Sequence, residues 1–431
     1  MATVVLSFFG MFNQVMIIAI IQKPVLEKHD VQKIFALTIL INSAFFILSY
    51  LFAPIIASIF QETKLQLVIY ALSLQFVINI FSTLPWALLR KAMRFKVLSV
   101  IGLCSSLTGS ILTLIFAKLG YGVWALVYGV LGFNVVKTIL FNSFSPMLPV
   151  PRFAFSGMHA FFSFSRNMVL SQILRYIYLN ADTVLIGKLL NKTSLGFYNV
   201  AMHIASLPME KISGLISQVA LPAYAKIQSD HRLAGKYFIK SVHIMALCSF
   251  PVFWGISSVA SPAIPLILGE KWRISSILVQ ILCFMFPFQM IHNLIAPAMF
   301  GFGRSDITLK NSLTFVLIVP AALALGCLWK LQGVAAAWVI AYPICFFLNM
   351  NRALLFFHLP RTDLINSLLK PIIGAICMYL AVFVVKLFFS GNIHDIVLLF
   401  IMIGVGICIY LGFMLTIDRS GCTLIRSLIK I

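Results

Sequence analysis

Ionisable side chains stand inside stretches otherwise suited to hydrocarbon: Arg175 and Asp182 in one, His203 and Lys211 in the next. Arg175 and Asp182 are seven positions apart, about two helical turns, so in a helix they share a face. An antiparallel return through a turn near Asn191 to Thr193 puts Arg175 about as deep as Lys211 and Asp182 about as deep as His203. Holding an ionised group within a bilayer costs at least about 2.5–3.5 kcal/mol, so each of these residues implies a wet cavity, a partner, or both. Guanidinium and ammonium groups stabilise phosphate oxygens, which is the chemistry open to Arg175 and Lys211. A carboxylate near an imidazole takes up a proton or a sodium ion, which is the chemistry open to Asp182 and His203. The plain alternative is internal pairing, Arg175 with Asp182 and Glu210 with Lys211. Arg90 and Arg166 lie at the ends of apolar runs, where basic residues fix topology, meet lipid head groups and can guide a phosphate. Gln289, His292 and Asn293 read as interhelical hydrogen-bonding groups.

Covalent and metal chemistry find no support. There is no Walker A loop, no H-E-x-x-H, no G-x-S-x-G and no C-x-x-C, and the eight cysteines occur singly as packing residues. The expectation is a non-enzyme with no metal and no bound cofactor, driven by a proton or sodium gradient or by the gradient of its own substrate.

The elements that must position these residues are membrane helices. Of the 431 residues 61% are hydrophobic and 10% charged, and the mean hydropathy is +1.04. Runs of about eighteen apolar residues recur along the chain, each long enough to cross about 30 Å of hydrocarbon as a helix. The short alternating segments of a β-barrel are missing. The fold class is therefore an all-α membrane protein, a bundle of about thirteen transmembrane helices.

The net charge of +21 falls in alternate loops, which argues for lipid head groups and against nucleic acid as the partner. Lys23 to Lys33, Arg90 to Lys96, Lys226 to Lys240, Arg352 with Arg361, and Arg419 to Lys430 all fall on one side if the first loop is cytoplasmic. That places the C-terminus in the cytoplasm. Residues 1–145 form an N-terminal lobe, 146–166 an interfacial amphipathic linker, and 167–431 a C-terminal lobe with extra helices. The lobes repeat: RKAMRFK precedes an apolar helix and AKLGYGVWALVYG, while GFGRSDITLK precedes an apolar helix and WKLQGVAAAWVIAYP, with Gly122 aligned to Gly333. Such halves are the usual build of secondary transporters.

Between Arg166 and Asp230 the sequence becomes specific. It carries N-A-D-x-x-L-I-G-x-x-L from Asn180 to Leu190, S-L-G-x-Y from Ser194 to Tyr198, and L-P-A-Y-x-x-I-Q from Leu221 to Gln228. With L-P-W-A-L-L-R-K-A-M-R-F-K from Leu84 to Lys96, this resembles the polysaccharide transporter family that includes the O-antigen and colanic-acid flippases. The resemblance implies a flippase in a bacterial inner membrane. Its substrate would be an oligosaccharide on polyprenyl pyrophosphate, moved by alternating access for export of surface polysaccharide. Arg175 and Lys211, with Arg90 and Arg166 at the mouth, would meet the pyrophosphate, and Asp182 with His203 would couple the ion. Glycosyltransferases and a polymerase of the same pathway would be partners alongside membrane lipids. Members of that family have fourteen helices, and the opening residues resemble their second, so the first helix is expected to be missing. The rivals are a multidrug or cation antiporter of the same superfamily, which favours acidic cavity groups, and a membrane glycan polymerase or ligase, which needs a large outer loop.

Overall fold

Peptide groups in hydrocarbon must bond within their own segment. The computed structural model describes residues 15–23, 26–59, 62–146, 149–389 and 393–417, and among these no strand occurs. Contacts divide the chain into two compact units: Met1–Val169 with Leu221–Lys226, and Leu170–Ala220 with Ile227–Ile431.

The first unit begins with α1, helical over residues 15–22, and continues with α2 (Lys28–Ile59), α3 (Thr63–Lys91), α4 (Phe95–Lys118) and α5 (Val123–Phe144). Its core joins Ala53 of α2, Val68, Ile69, Leu72 and Phe76 of α3, and Val127 of α5. Lys91 at the end of α3 donates from Nζ to the carbonyls of Ile20 (3.2 Å) and Lys23, oxygens that the last turn of α1 leaves open. The expected linker 146–166 is not one amphipathic helix. Residues 149–155 are irregular, because Pro149 and Pro151 lack the N–H a helix needs. A turn follows at Ser156 and Gly157, whose φ of 79° suits a residue without Cβ. This stretch is bonded to α2 through Arg152 N to Gln32 O (3.3 Å) and Lys33 Nζ to Ser156 O (2.8 Å). From His159 the chain enters α6 (His159–Leu189), so the second half of the expected linker is the opening of a long helix.

The second unit takes α6 from Leu170, then α7 (Lys192–Lys226) as far as Ala220, and α8 (His231–Leu268). A broken span follows, α9 (Arg273–Leu282), α10 (Phe286–His292) and α11 (Ile295–Gly301), and then α12 (Ser305–Gly326), α13 (Lys330–Phe356), α14 (Arg361–Phe389) and α15 (Asp395–Ile417). The break has a chemical cause. Pro287 offers no N–H to the carbonyl four residues earlier, and there the chain bends by 51° with three-residue-span bonds at Phe284 and Met285; Pro297 interrupts the ladder a second time, with such a bond at Leu294.

Among the described residues, eight helical stretches are long and apolar enough to cross a bilayer, with the broken one a ninth. With α6 and α7, which are long enough but more polar, the described residues hold eleven long helices, α2 to α8 and α12 to α15, and one broken span, against about thirteen expected. Most of the opening stretch, which resembles the family's second helix, lies outside the described residues, and the expectation of a missing first helix lies outside them too. The protein is an all-helical, multi-pass membrane protein.

Candidate functional site

In the second unit, the turn between α6 and α7 is only two residues long, and Asn191 fixes it by accepting from Ser194 N at 2.6 Å. That short turn decides which side chain faces Asp182. Asp182 is 3% exposed and meets Tyr198, one turn nearer the bend than His203, which is exposed. Its Oδ2 accepts from Tyr198 Oη at 2.7 Å, and its Oδ1 accepts from Thr183 N at 2.6 Å and Thr183 Oγ1 at 3.3 Å. Tyr198 Oη in turn accepts from Trp338 Nε1 of α13 at 2.8 Å. Each donor points toward the carboxyl group, which is held by neutral dipoles in a chain of hydrogen bonds. Among the described residues no cation pairs with it. The simple pairing of Arg175 with Asp182 therefore does not occur.

Arg175 is exposed on α6, within electrostatic reach of Tyr178, His292 and Tyr342. Packed rings connect these groups: Tyr178 stacks on Phe315 at 4.7 Å, Phe315 lies 4.8 Å from Tyr342, and Tyr342 lies 6.2 Å from Trp338. His292 sets its edge against Phe315 at 5.0 Å and meets Asn349 Nδ2 at 3.3 Å, the interhelical bond expected of it. Beyond Asn349, Arg352 Nη1 lies in a ring of oxygens: Thr314 Oγ1 (2.8 Å), Asn349 Oδ1 (2.9 Å), Asn311 Oδ1 (3.1 Å) and Lys310 O (3.2 Å). Lys211 is exposed, and Glu210 accepts from Ser206 Oγ at 2.8 Å.

The first unit holds Arg90 and Arg166. Arg166 is exposed on α6. Arg90 is half-buried, its guanidinium 5.8 Å from the centre of the Trp86 ring. Sequence reasoning missed its neighbour. Lys137 lies inside α5 with Nζ 5.8 Å from the same ring, 5.5 Å from Phe133 and 5.8 Å from Phe141. Two cations around one tryptophan form a basic, ring-walled node. The available signal was the spacing: Phe133 and Phe141 flank Lys137 at four residues on each side. Structure and sequence together bring Asp182, Tyr198 and Trp338 into one cluster and Arg90 with Lys137 into another, and leave His203, Lys211 and Arg166 exposed.

Residues 1–277 match a protein family described as "Polysaccharide biosynthesis protein". The teichuronic acid biosynthesis protein TuaB of Bacillus subtilis is 26% identical over 377 residues, 86% of this chain and 77% of that one. The lipopolysaccharide biosynthesis protein WzxC of Escherichia coli is 25% identical over 373 residues, 86% of this chain and 72% of that one. The lipid II flippase MurJ in its inward closed conformation shares the fold, with a TM-score of 0.61 and 18% identity over 97% of this chain and 91% of that one.

Proposed function

We propose, from the premise that the chain belongs to the polysaccharide biosynthesis protein family, that it flips a lipid-linked oligosaccharide across a bacterial inner membrane. The cargo is an oligosaccharide on polyprenyl pyrophosphate, and the chain acts as a transporter and not an enzyme. A glycan with a pyrophosphate cannot cross about 30 Å of hydrocarbon unaided, since each polar group would lose its water. A hydrated passage with fixed cations, opened alternately to the two faces, lowers that barrier while the lipid tail stays in the bilayer. The basic loops face the cytoplasm, and the C-terminus with them.

The single observation that carries this reading is the node of Arg90 and Lys137, two cations that share the Trp86 ring near the cytoplasmic ends of α3 and α5, where a phosphate oxygen would meet both. Arg175 supplies a further cation in the second unit, with Lys211 and Arg166 as exposed basic residues along the approach. Asp182, held by Tyr198 and Thr183, serves as the proton or sodium site. The same buried carboxylate favours the second reading, a cation antiporter, in which it would bind an organic cation.

Deleting the gene and assaying lipid-linked repeat units by their accessibility from each face separates the two. The flippase reading expects units to accumulate on the cytoplasmic face, and Lys137→Gln in a normally expressed protein to restore export less than about a tenth as well as the parent, a loss of about 1.4 kcal/mol or more. Full export by that variant, or a drug-sensitivity phenotype without trapped intermediates, would sink it.

A further inference from the structure

In the second unit α8 and α14 run side by side in one direction and keep one register along their length. Gly235 faces Leu359 and Phe357 just ahead of α14, His243 Nδ1 donates to Ser367 O at 2.9 Å, and Gly255 faces Met378. In their first turns, however, a space of about 700 Å³ lies between them. Lys236, Lys240 and His243 line it from α8, and Asp363, Ser367 and Lys370 from α14. Each set repeats at intervals of four and three residues, so each is one stripe of its helix, and the two stripes face each other.

The wall carries three ammonium groups and an imidazole against one carboxylate, with hydroxyl and amide groups between. Its volume falls in the range of about 300–1,000 Å³ usual for small-molecule sites. Its depth is equally specific. α8 has no charged residue from 244 to 268, and α14 none from 371 to 385, so the cavity sits where hydrocarbon begins. Ile365 and Leu369 of α14, 53% and 49% exposed, give it an apolar flank. A cationic recess at the edge of the hydrocarbon, with an apolar side, fits a molecule that has a phosphate at one end and acyl chains at the other.

We propose that this cavity binds the phosphate head group of an anionic phospholipid of the phosphatidylglycerol type, its chains lying along the exposed side of α14. The shared chemistry with a free phosphate is the anionic oxygen; the lipid differs in needing the apolar flank. Bound there, the lipid fills the gap between α8 and α14.

The test uses the purified full-length chain in a neutral detergent, titrated with phosphatidylglycerol, phosphatidylcholine, inorganic phosphate or pyrophosphate while the unfolding temperature is followed. Phosphatidylglycerol is expected to give a saturable rise that phosphatidylcholine and the free phosphates do not. The Lys236→Gln/Lys240→Gln/Lys370→Gln variant should weaken the midpoint by on the order of a hundredfold, about fivefold per lysine, whereas the matching arginine triple keeps the response. Where the glutamine triple fails to fold, Lys236→Gln and Lys240→Gln singly should each weaken the midpoint about fivefold. A control with Lys226→Gln and Arg232→Gln should behave as the parent. An unchanged midpoint in the cavity variants, an equal rise with phosphatidylcholine, an equal loss in the control, or an equal shift with free phosphate would overturn the assignment.

Discussion

The hairpin α4–α5 of the first unit and the hairpin α12–α13 of the second have one architecture and different contents. Both consist of two antiparallel helices that approach through glycine. A Cβ on Gly129 would overlap Thr113 Oγ1, and one on Gly333 would overlap the carbonyl of Gly326. Their polar residues behave differently. In the first hairpin Ser105, Thr113, Asn134 and Thr138 donate to the carbonyl four residues back in the same helix. In the second, Trp338 reaches Tyr198 on α7, Asn349 reaches His292 on α10, and Arg352 reaches Thr314 across the hairpin. A polar side chain satisfied by its own helix can sit in lipid without a neighbour. One satisfied by another helix fixes that neighbour in place and builds an interior. Close approach is thus available to both hairpins; the first also sends Asn142 Nδ2 to Phe81 O of α3 at 2.9 Å, whereas the second links several side chains into a polar network.

The contrast can be broken most severely at the glycines. Gly333→Ala sets a methyl against backbone, which trimming a side chain cannot relieve, so little folded protein is expected by fluorescence-detected size exclusion. Gly129→Ala clashes first with a side chain, and Thr113→Ala in the same protein should recover part of the folded peak, the approach to the Gly109 carbonyl at 2.9 Å remaining. Equal behaviour of the two would show that the hairpins pack alike after all. Arg352→Met comes next. It leaves buried oxygens of Asn349 and Thr314 without their cationic donor and should cost about 1.5–3 kcal/mol, measured as a lower unfolding temperature. Tyr198→Phe removes one hydroxyl but strands both Asp182 and Trp338, for about 1–3 kcal/mol, and should slow export beyond its effect on protein level. Retention of full export by Tyr198→Phe would separate the cluster from coupling. At the small end, Thr138→Val loses only a bond within its own helix and should stay within about 0.5 kcal/mol of the parent.

Both hairpins were legible in the sequence because span length and basic loops are one-dimensional signals. The register between them was not. Gly122 aligns by sequence with Gly333, yet the residue with positive φ at the start of α13 is Lys330, at φ 58°, while Gly122 holds that place just before α5 at φ 53°. Gly333 instead lies inside the helix and permits close approach. The buried charge of Asp182 was equally readable, since any acid in such a run stands out. Its partner was not, because mirroring α6 onto α7 depends on where the turn is centred: a shift of about two residues toward α6 moves the partner by twice that, enough to replace His203 by Tyr198. Lys137 and Arg352 were hidden for a related reason: a cation one or two turns from a helix end reads as an interfacial residue until its neighbours from other helices are known.

The span broken at two joints, one of them bent by 51°, has a mechanical side. A continuous helix behaves as a rod: an added residue near one end turns every side chain beyond it by about 100°. In α9, α10 and α11 the rod is segmented, and the irregular joints at 283–285 and 293–294 can absorb such a twist. A one-residue insertion in α9 should therefore leave Gln289 and His292 facing as they do, whereas the same insertion early in α13 would swing Trp338, Asn349 and Arg352 away together.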